Sequence, residues 1–182
     1  MKGKSAFDIS EELIPVGRIL KTHGLRGELK VLPLTNVEEV FKNLKNVVLY
    51  NPKNRGSLQV KVEKVRKLNK FFLIKLEGFN TINEVERFRN FQILIEKTDL
   101  PELKEDEYYF FQLIDCEVFY NDGGYAGKVI DIIETGSNDV LVVKKTGEKD
   151  TTLIPVIKGY IEKLDLENKR IIAREIEWYE SE

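Results

Sequence analysis

Short alternating apolar runs, each closed by Gly, Asn or Pro, leave this chain little alternative to a β-sheet fold. The runs Ile14–Leu20, Glu28–Leu34, Val47–Tyr50, Leu58–Leu68, Phe71–Leu76 and Phe91–Ile95 read as six strands. Successive side chains on a strand point to opposite faces, so such alternation buries one face only, and six short strands imply a small barrel or sandwich. In the fourth run the spacing slips: Leu58, Val60 and Val62 alternate, but the next apolar residue is Val65. A bulge near Glu63 and Lys64 is expected, because small barrels need such bends. Thr81 and Glu84 have the spacing of a capping box, and Ile82, Val85 and Phe88 fall on one face of a short helix. That helix is expected to plug one end of the barrel.

From Lys97 to Glu107, Pro101 and a run of charges interrupt the apolar pattern, which marks a domain boundary. Beyond it Asp115–Tyr120, Ala126–Glu134, Asp139–Lys144, Thr151–Ile154, Tyr160–Leu164 and Arg170–Ala173 read as a second set of strands and a second barrel. Asn121, Asp122, Gly123 and Gly124 form a strong hairpin turn, and Glu167, Asn168 and Lys169 the last one. Between Glu134 and Asp139, Gly136 and Asn138 tolerate the positive φ that a hairpin turn demands. The chain is therefore expected to be mainly β, two small β-barrel domains with a few short helices. The expected boundaries are a flexible arm over 1–13, a six-stranded barrel over 14–97, a linker over 98–107 and a second barrel over 108–182.

Composition agrees. At 182 residues, 42% of them apolar, with a net charge of −2, the chain suits a soluble globular protein with room for two small cores. No stretch resembles a transmembrane span, and the polar first thirteen residues lack the apolar centre of a secretion signal, so a cytoplasmic location is expected. The single cysteine, Cys116, excludes an internal disulfide and a thiolate metal cluster; beside Leu113, Ile114 and Val118 it reads as a small buried apolar residue. Net charge conceals an asymmetry. Residues 1–100 carry 19 Lys and Arg against 12 Asp and Glu, a net of +7, whereas residues 101–182 carry 10 against 19, a net of −9. The basic half suits phosphate, and the acidic half suits a basic protein. Charge blocks of this kind also serve simply as solvated faces.

Three groups of residues stand out. The loop Lys21, Thr22, His23, Gly24, Leu25, Arg26, Gly27 sets three potential cations beside two glycines. Glycines let a backbone approach phosphate closely, and Arg26 carries a planar fork of donors. On the residues alone, a tight turn shaped by Gly24 and Gly27, with Leu25 capping the barrel, is the stronger reading. A second basic group runs along Lys61, Lys64, Arg66, Lys67 and Lys70 with Glu63 among them. Alternate members of this ribbon share a face, which follows a phosphate backbone or merely discourages edge-to-edge aggregation, the commoner role. Third, Tyr108, Tyr109, Phe110 and Phe111 follow Glu105, Asp106 and Glu107. One short element cannot bury four consecutive aromatics on one face, so one or two should be exposed or packed between domains, and exposed tyrosines beside acids make a protein hot spot.

An assembled catalytic site is not in view. No phosphate-binding loop of the Gly, four residues, Gly, Lys, Ser/Thr spacing occurs, and the lone His23 lies far in sequence from Cys116. Asp131, Glu134 and Asp139 are the best candidates for gathering a divalent metal, and a metal-dependent ribonuclease is the rival reading from another class. Their positions around a hairpin look structural instead.

Two motifs in order carry a family resemblance. The first runs Val16, Gly17, Arg18, Ile19, Leu20, Lys21, Thr22, His23, Gly24, Leu25, Arg26, Gly27, Glu28, Leu29, Lys30, Val31. The second joins Gly127, Lys128 and Val129 to the turn from Glu134 to Val143 and to Ile154, Pro155, Val156 and Ile157. In these the chain resembles the RimM family of ribosome maturation factors over nearly everything after residue 13. The resemblance implies a basic N-terminal barrel and a PRC-type C-terminal barrel, acting without catalysis in assembly of the small ribosomal subunit and processing of 16S rRNA. It implies that Tyr108 and Tyr109, at the place of the family's paired tyrosines, bind the nineteenth small-subunit ribosomal protein. The subunit head with nearby rRNA is then the wider partner, and Lys21, His23, Arg26 and Lys30 are the candidate rRNA contacts. A monomer with no cofactor, no metal and no membrane contact is expected. Two residues depart from the family pattern: Asp115 replaces the usual Gly, and Val156 replaces a frequent aromatic. The tail from Arg174 to Glu182, with Trp178 and Tyr179, matches weakly.

Overall fold

The computed structural model describes residues 12–104, 107–134 and 138–175. The expected arm up to residue 11, Gly136 of the hairpin turn, Glu105 and Asp106, and Trp178 and Tyr179 of the tail lie outside them. The chain divides into two compact units between Tyr109 and Phe110.

In the first unit six strands close into a barrel: β1 (Leu13–His23), β2 (Glu28–Pro33), β3 (Asn46–Tyr50), β4 (Ser57–Leu68), β5 (Phe71–Leu76) and β6 (Gln92–Glu96), in the order β1-β2-β5-β4-β3-β6. Closure follows from the alternation. Val16, Ile19, Val31, Leu49, Ile74, Leu76 and Ile93 all turn inward and are buried. The expected bulge is present, because the β4–β5 register shifts between Val62 and Lys64. The extra residue lets Val62 and Val65, three apart, both pack on the core. Strand β1 runs three residues further than its apolar pattern, to His23, because Lys21, Thr22 and His23 pair with Lys30, Leu29 and Glu28.

Two short helices complete this unit. The first, α1 (Glu39–Lys42), has no counterpart in the sequence reading; it delivers Val40 and Phe41 to the core, where Phe41 stacks on Phe72 at 4.0 Å. The second, α2 (Ile82–Val85), continues into a 3-10 turn over Glu86–Phe88. Its capping box is made: the Glu84 carboxylate accepts from the backbone N–H groups of Asn80 and Thr81, both at 2.8 Å, and from the Thr81 hydroxyl at 2.9 Å. Those bonds hold its carboxyl below the usual range. Val85 and Phe88 enter the core, so this helix fills a barrel end.

The second unit is one six-stranded sheet: β7 (Glu117–Tyr120), β8 (Tyr125–Glu134), β9 (Asp139–Lys144), β10 (Thr151–Pro155), β11 (Ile161–Asp165) and β12 (Arg170–Ala173), in the order β10-β9-β8-β7-β12-β11. A helical turn, α3 (Phe110–Leu113), precedes it and buries Leu113. Val118, Val129, Leu141, Val143, Ile154 and Ile171 are buried. At Gly127 the backbone has φ 135°, and a Cβ there would stand 2.6 Å from the Lys144 carbonyl, so β8 and β9 approach through a position that only glycine fits. Strand β7 begins at Glu117 rather than Asp115, because Asp115 adopts φ 64°, a turn conformation.

Candidate functional site

The first candidate surface lies on the outside of the first barrel, at the β1–β2 hairpin. Cross-strand partners share a face, so Lys21 sits beside Lys30 and His23 beside Glu28. Lys21 is exposed, while His23 and Lys30 are half-buried. Like charges directly opposite each other destabilise a sheet, so the Lys21–Lys30 pairing reads as a site that an anion would relieve. The chain turns over Gly24–Gly27, with Arg26 exposed. Gly27, at φ 70°, anchors the turn: a Cβ there would come within 2.8 Å of the Phe79 carbonyl oxygen and 3.0 Å of that of Thr81.

The turn does not cap the barrel. Leu25 is 82% exposed at its tip, and the barrel end is filled instead by Val85 and Phe88. The four expected rRNA contacts therefore divide: Lys21, His23 and Lys30 share one strand face, and Arg26 stands in the turn.

Beyond this hairpin, with β5 between them, the basic ribbon of β4 is sorted by its bulge. Val62 and Val65 face inward, so Lys61, Lys64 and Arg66 face outward. Lys67 lies opposite the core residue Phe72 and pairs with Glu38. Arg66 donates two hydrogen bonds to Glu28 across the sheet, at 2.9 and 3.1 Å, and this pairing holds the Glu28 carboxyl below its ordinary range. The Lys75 ammonium donates to the carbonyl of Phe79 and to Asn80. Lys30 lies 3.8 Å above the centroid of the Phe71 ring.

One of the four aromatics is exposed, as their run predicts, but it is a phenylalanine and not a tyrosine. Tyr108 is 4% exposed and Tyr109 2%, while Phe110 is half-buried and Phe111 36% exposed. The reason is a set of links to the segment after β2. The Thr35 hydroxyl donates to the Tyr108 carbonyl at 2.6 Å, the Tyr108 N–H donates to Asn36 Oδ1 at 2.8 Å, and Tyr109 bridges Thr35. Tyr109 thereby joins the first barrel's core, and burial pushes its phenol up to about 12. An exposed tyrosine pair is not what this structure presents.

What sequence reasoning missed is an exposed apolar strip on the second unit. Ile130, Ile133 and Leu153 are 49%, 44% and 40% exposed. Ile133 pairs with Val140, and Val140 with Pro155; Asp131 pairs with Val142, and Val142 with Leu153. Ile130 falls where the β8–β9 register slips. The signal was present in Val129, Ile130, Asp131, Ile132, Ile133, since a strand cannot bury consecutive apolar residues on one face.

Cys116 is buried, its thiol donates to the Gln112 carbonyl at 3.1 Å, and burial raises its pKa, against a reactive thiolate. Among the described residues no group of three His, Cys, Asp or Glu side chains gathers to hold a metal. No helix among them is long and apolar enough to cross a membrane.

The RimM N-terminal domain model matches residues 14–100, and the RimM PRC barrel domain model matches residues 110–175. The chain belongs to the RimM family. Its relatives include the ribosome maturation factors RimM of Thermotoga petrophila and Thermotoga maritima, each 50% identical over 94% of this chain and 96% of their own. That of Thermotoga neapolitana is 47% identical over 96% of this chain and 98% of its own. The RimM PRC domain match begins at Phe110, the same residue as the second compact unit, while Tyr109 packs in the core of the first.

Proposed function

We propose that this RimM-family chain is a non-enzymatic assembly factor for the small ribosomal subunit, promoting its maturation and 16S rRNA processing in the cytoplasm. The second unit holds the nineteenth small-subunit ribosomal protein, and the first meets nearby rRNA of the subunit head through Lys21, His23, Arg26 and Lys30. Binding favours a folded head over misfolded alternatives by differential affinity, with no cofactor and as a monomer. The observation that carries this reading is that one chain presents a face of opposed lysines on one unit and an exposed apolar strip on the other.

For the ribosomal protein, support comes from Ile130, Ile133 and Leu153, apolar surface in the acidic half of the chain. Tyr108 and Tyr109, which the family resemblance assigns to the same partner, are too buried to supply a contact area of their own. They act as positioning residues, holding the chain that leads into the second unit through Thr35 and Asn36.

Calorimetric titration of the isolated nineteenth small-subunit protein into the full chain tests this. Replacing Ile133 and Leu153 together by Asp is expected to weaken binding at least tenfold, and Tyr109→Phe to leave it unchanged. Unaltered affinity in the double variant would remove the strip from the mechanism. Incubation with precursor 16S rRNA and magnesium is expected to leave the RNA intact; cleavage would favour the ribonuclease reading.

A further inference from the structure

The outward face of β2, β5 and β4 carries an aromatic ring that the barrel does not need. In β5, Phe72, Ile74 and Leu76 point into the core, so Phe71, Leu73 and Lys75 point out. Leu73 is 1% exposed, flanked in register by Lys30 on β2 and Arg66 on β4. Phe71 has no place in that core cluster and is half-buried at the start of its strand. Its ring has the Lys30 ammonium 3.8 Å and the Lys70 ammonium 5.3 Å from its centroid.

An ammonium over a partly exposed ring is a weak contact, and base–aromatic stacking exceeds it. A nucleobase arriving on the ring displaces the Lys30 ammonium toward the phosphate of the same strand, where the charge gains more. Charge on this face favours that exchange. Lys61 and Lys64 face outward from β4, and the acid on β2, Glu28, is already neutralised by its bidentate bond to Arg66. Lys75 is tied to Phe79 and Asn80 and takes no part. Cations spaced along a strand with one aromatic platform fit an unpaired nucleic-acid segment, whereas a duplex offers no exposed base face within it.

We propose that the outer face of β2, β5 and β4 is a docking strip for single-stranded RNA, with one base stacked on Phe71 and the flanking phosphates held by Lys30 and Lys64. This inference rests on the rRNA-contact reading above and extends it from the β1–β2 turn to the strand face beside it.

The test is fluorescence anisotropy of the full chain with a labelled unstructured RNA of eight to ten nucleotides, and with a duplex of equal length, over a series of salt concentrations. Phe71→Leu keeps an apolar side chain under Lys30 but cannot stack; it is expected to weaken single-strand binding about tenfold with the salt slope unchanged. Phe71→Tyr is expected to bind as the parent does, which also controls for folding. Lys64→Ala is expected to shallow the slope by about 0.7, one single-strand phosphate contact. Equal affinity of Phe71→Leu and the parent would overturn the proposal, as would a duplex bound as tightly as the single strand. If Phe71→Leu instead impairs binding of the ribosomal protein and spares RNA, the face is a protein surface and the inference fails. The part of the β1–β2 turn in the rRNA contact is judged separately, by whether Arg26→Ala lowers association with small-subunit precursors. A neutral Phe71→Leu beside an impaired Arg26→Ala sinks only the strip; the reverse pattern removes the turn from the rRNA contact and leaves the strip.

Discussion

At single residues the structure turns several chemical expectations into conformations. Asp115, which stands where the family usually has Gly, sits at φ 64°, a region that Asp tolerates better than Ala because its short polar side chain can bond locally. Asp115→Ala is therefore expected to lower stability by about 1 kcal/mol, and Asp115→Gly not to lower it, as read by denaturant unfolding. Tyr109 gives a titration signature. Burial raises its phenol to about 12, so its contribution to stability is complete below the unfolded value near 10 and is lost as pH rises through 12. An ultraviolet titration should show a late-titrating tyrosine that is missing from Tyr109→Phe. Glu28 works in the opposite direction. Arg66 depresses its carboxyl, so its contribution is present above about 4.3 and is lost as pH falls through the lowered folded value. Glu28→Gln is expected to flatten stability against pH on the acid side, and an unchanged profile would show that the pair is energetically silent.

At the level of elements, small local devices decide where side chains point. The β4 bulge moves Lys64 and Arg66 to the outer face and leaves Lys67 opposite Phe72, which simple alternation along the ribbon does not anticipate. The capping box at Thr81 starts the helix that fills the barrel end, and Thr81→Ala should cost about 1 kcal/mol in denaturant unfolding. Gly27 couples that same segment to the β1–β2 turn. A methyl group there would meet the Phe79 and Thr81 carbonyls and force a strained φ, so Gly27→Ala is expected to cost roughly 1–3 kcal/mol. It should also weaken RNA binding by moving Arg26. Normal stability in that variant would mean that the turn is looser than its contacts imply.

For the whole molecule, the charge split predicts how binding responds to salt. A first half with a net of +7 that meets RNA should lose affinity steeply as salt rises, and Arg26→Ala should shallow the slope, measured by anisotropy on small-subunit rRNA. An unchanged slope would return the turn to a purely structural role. By itself the sequence determined the strand inventory, the bulge, the capping box and, through two ordered motifs, the family. Those features depend on side-chain periodicity and turn chemistry, which act over a few residues and leave their mark in the order of residues. Only the tertiary structure decided which surfaces face outward. Tyr108 is held down by Thr35 and Asn36, more than seventy residues away, which bond its backbone, and Tyr109 beside it bridges Thr35. Leu25 is exposed because Val85 and Phe88 already fill the barrel end, and Phe71 carries lysine because β2 and β4 close around β5. Such exposure is set by partners distant in the chain, and a local pattern holds no record of them.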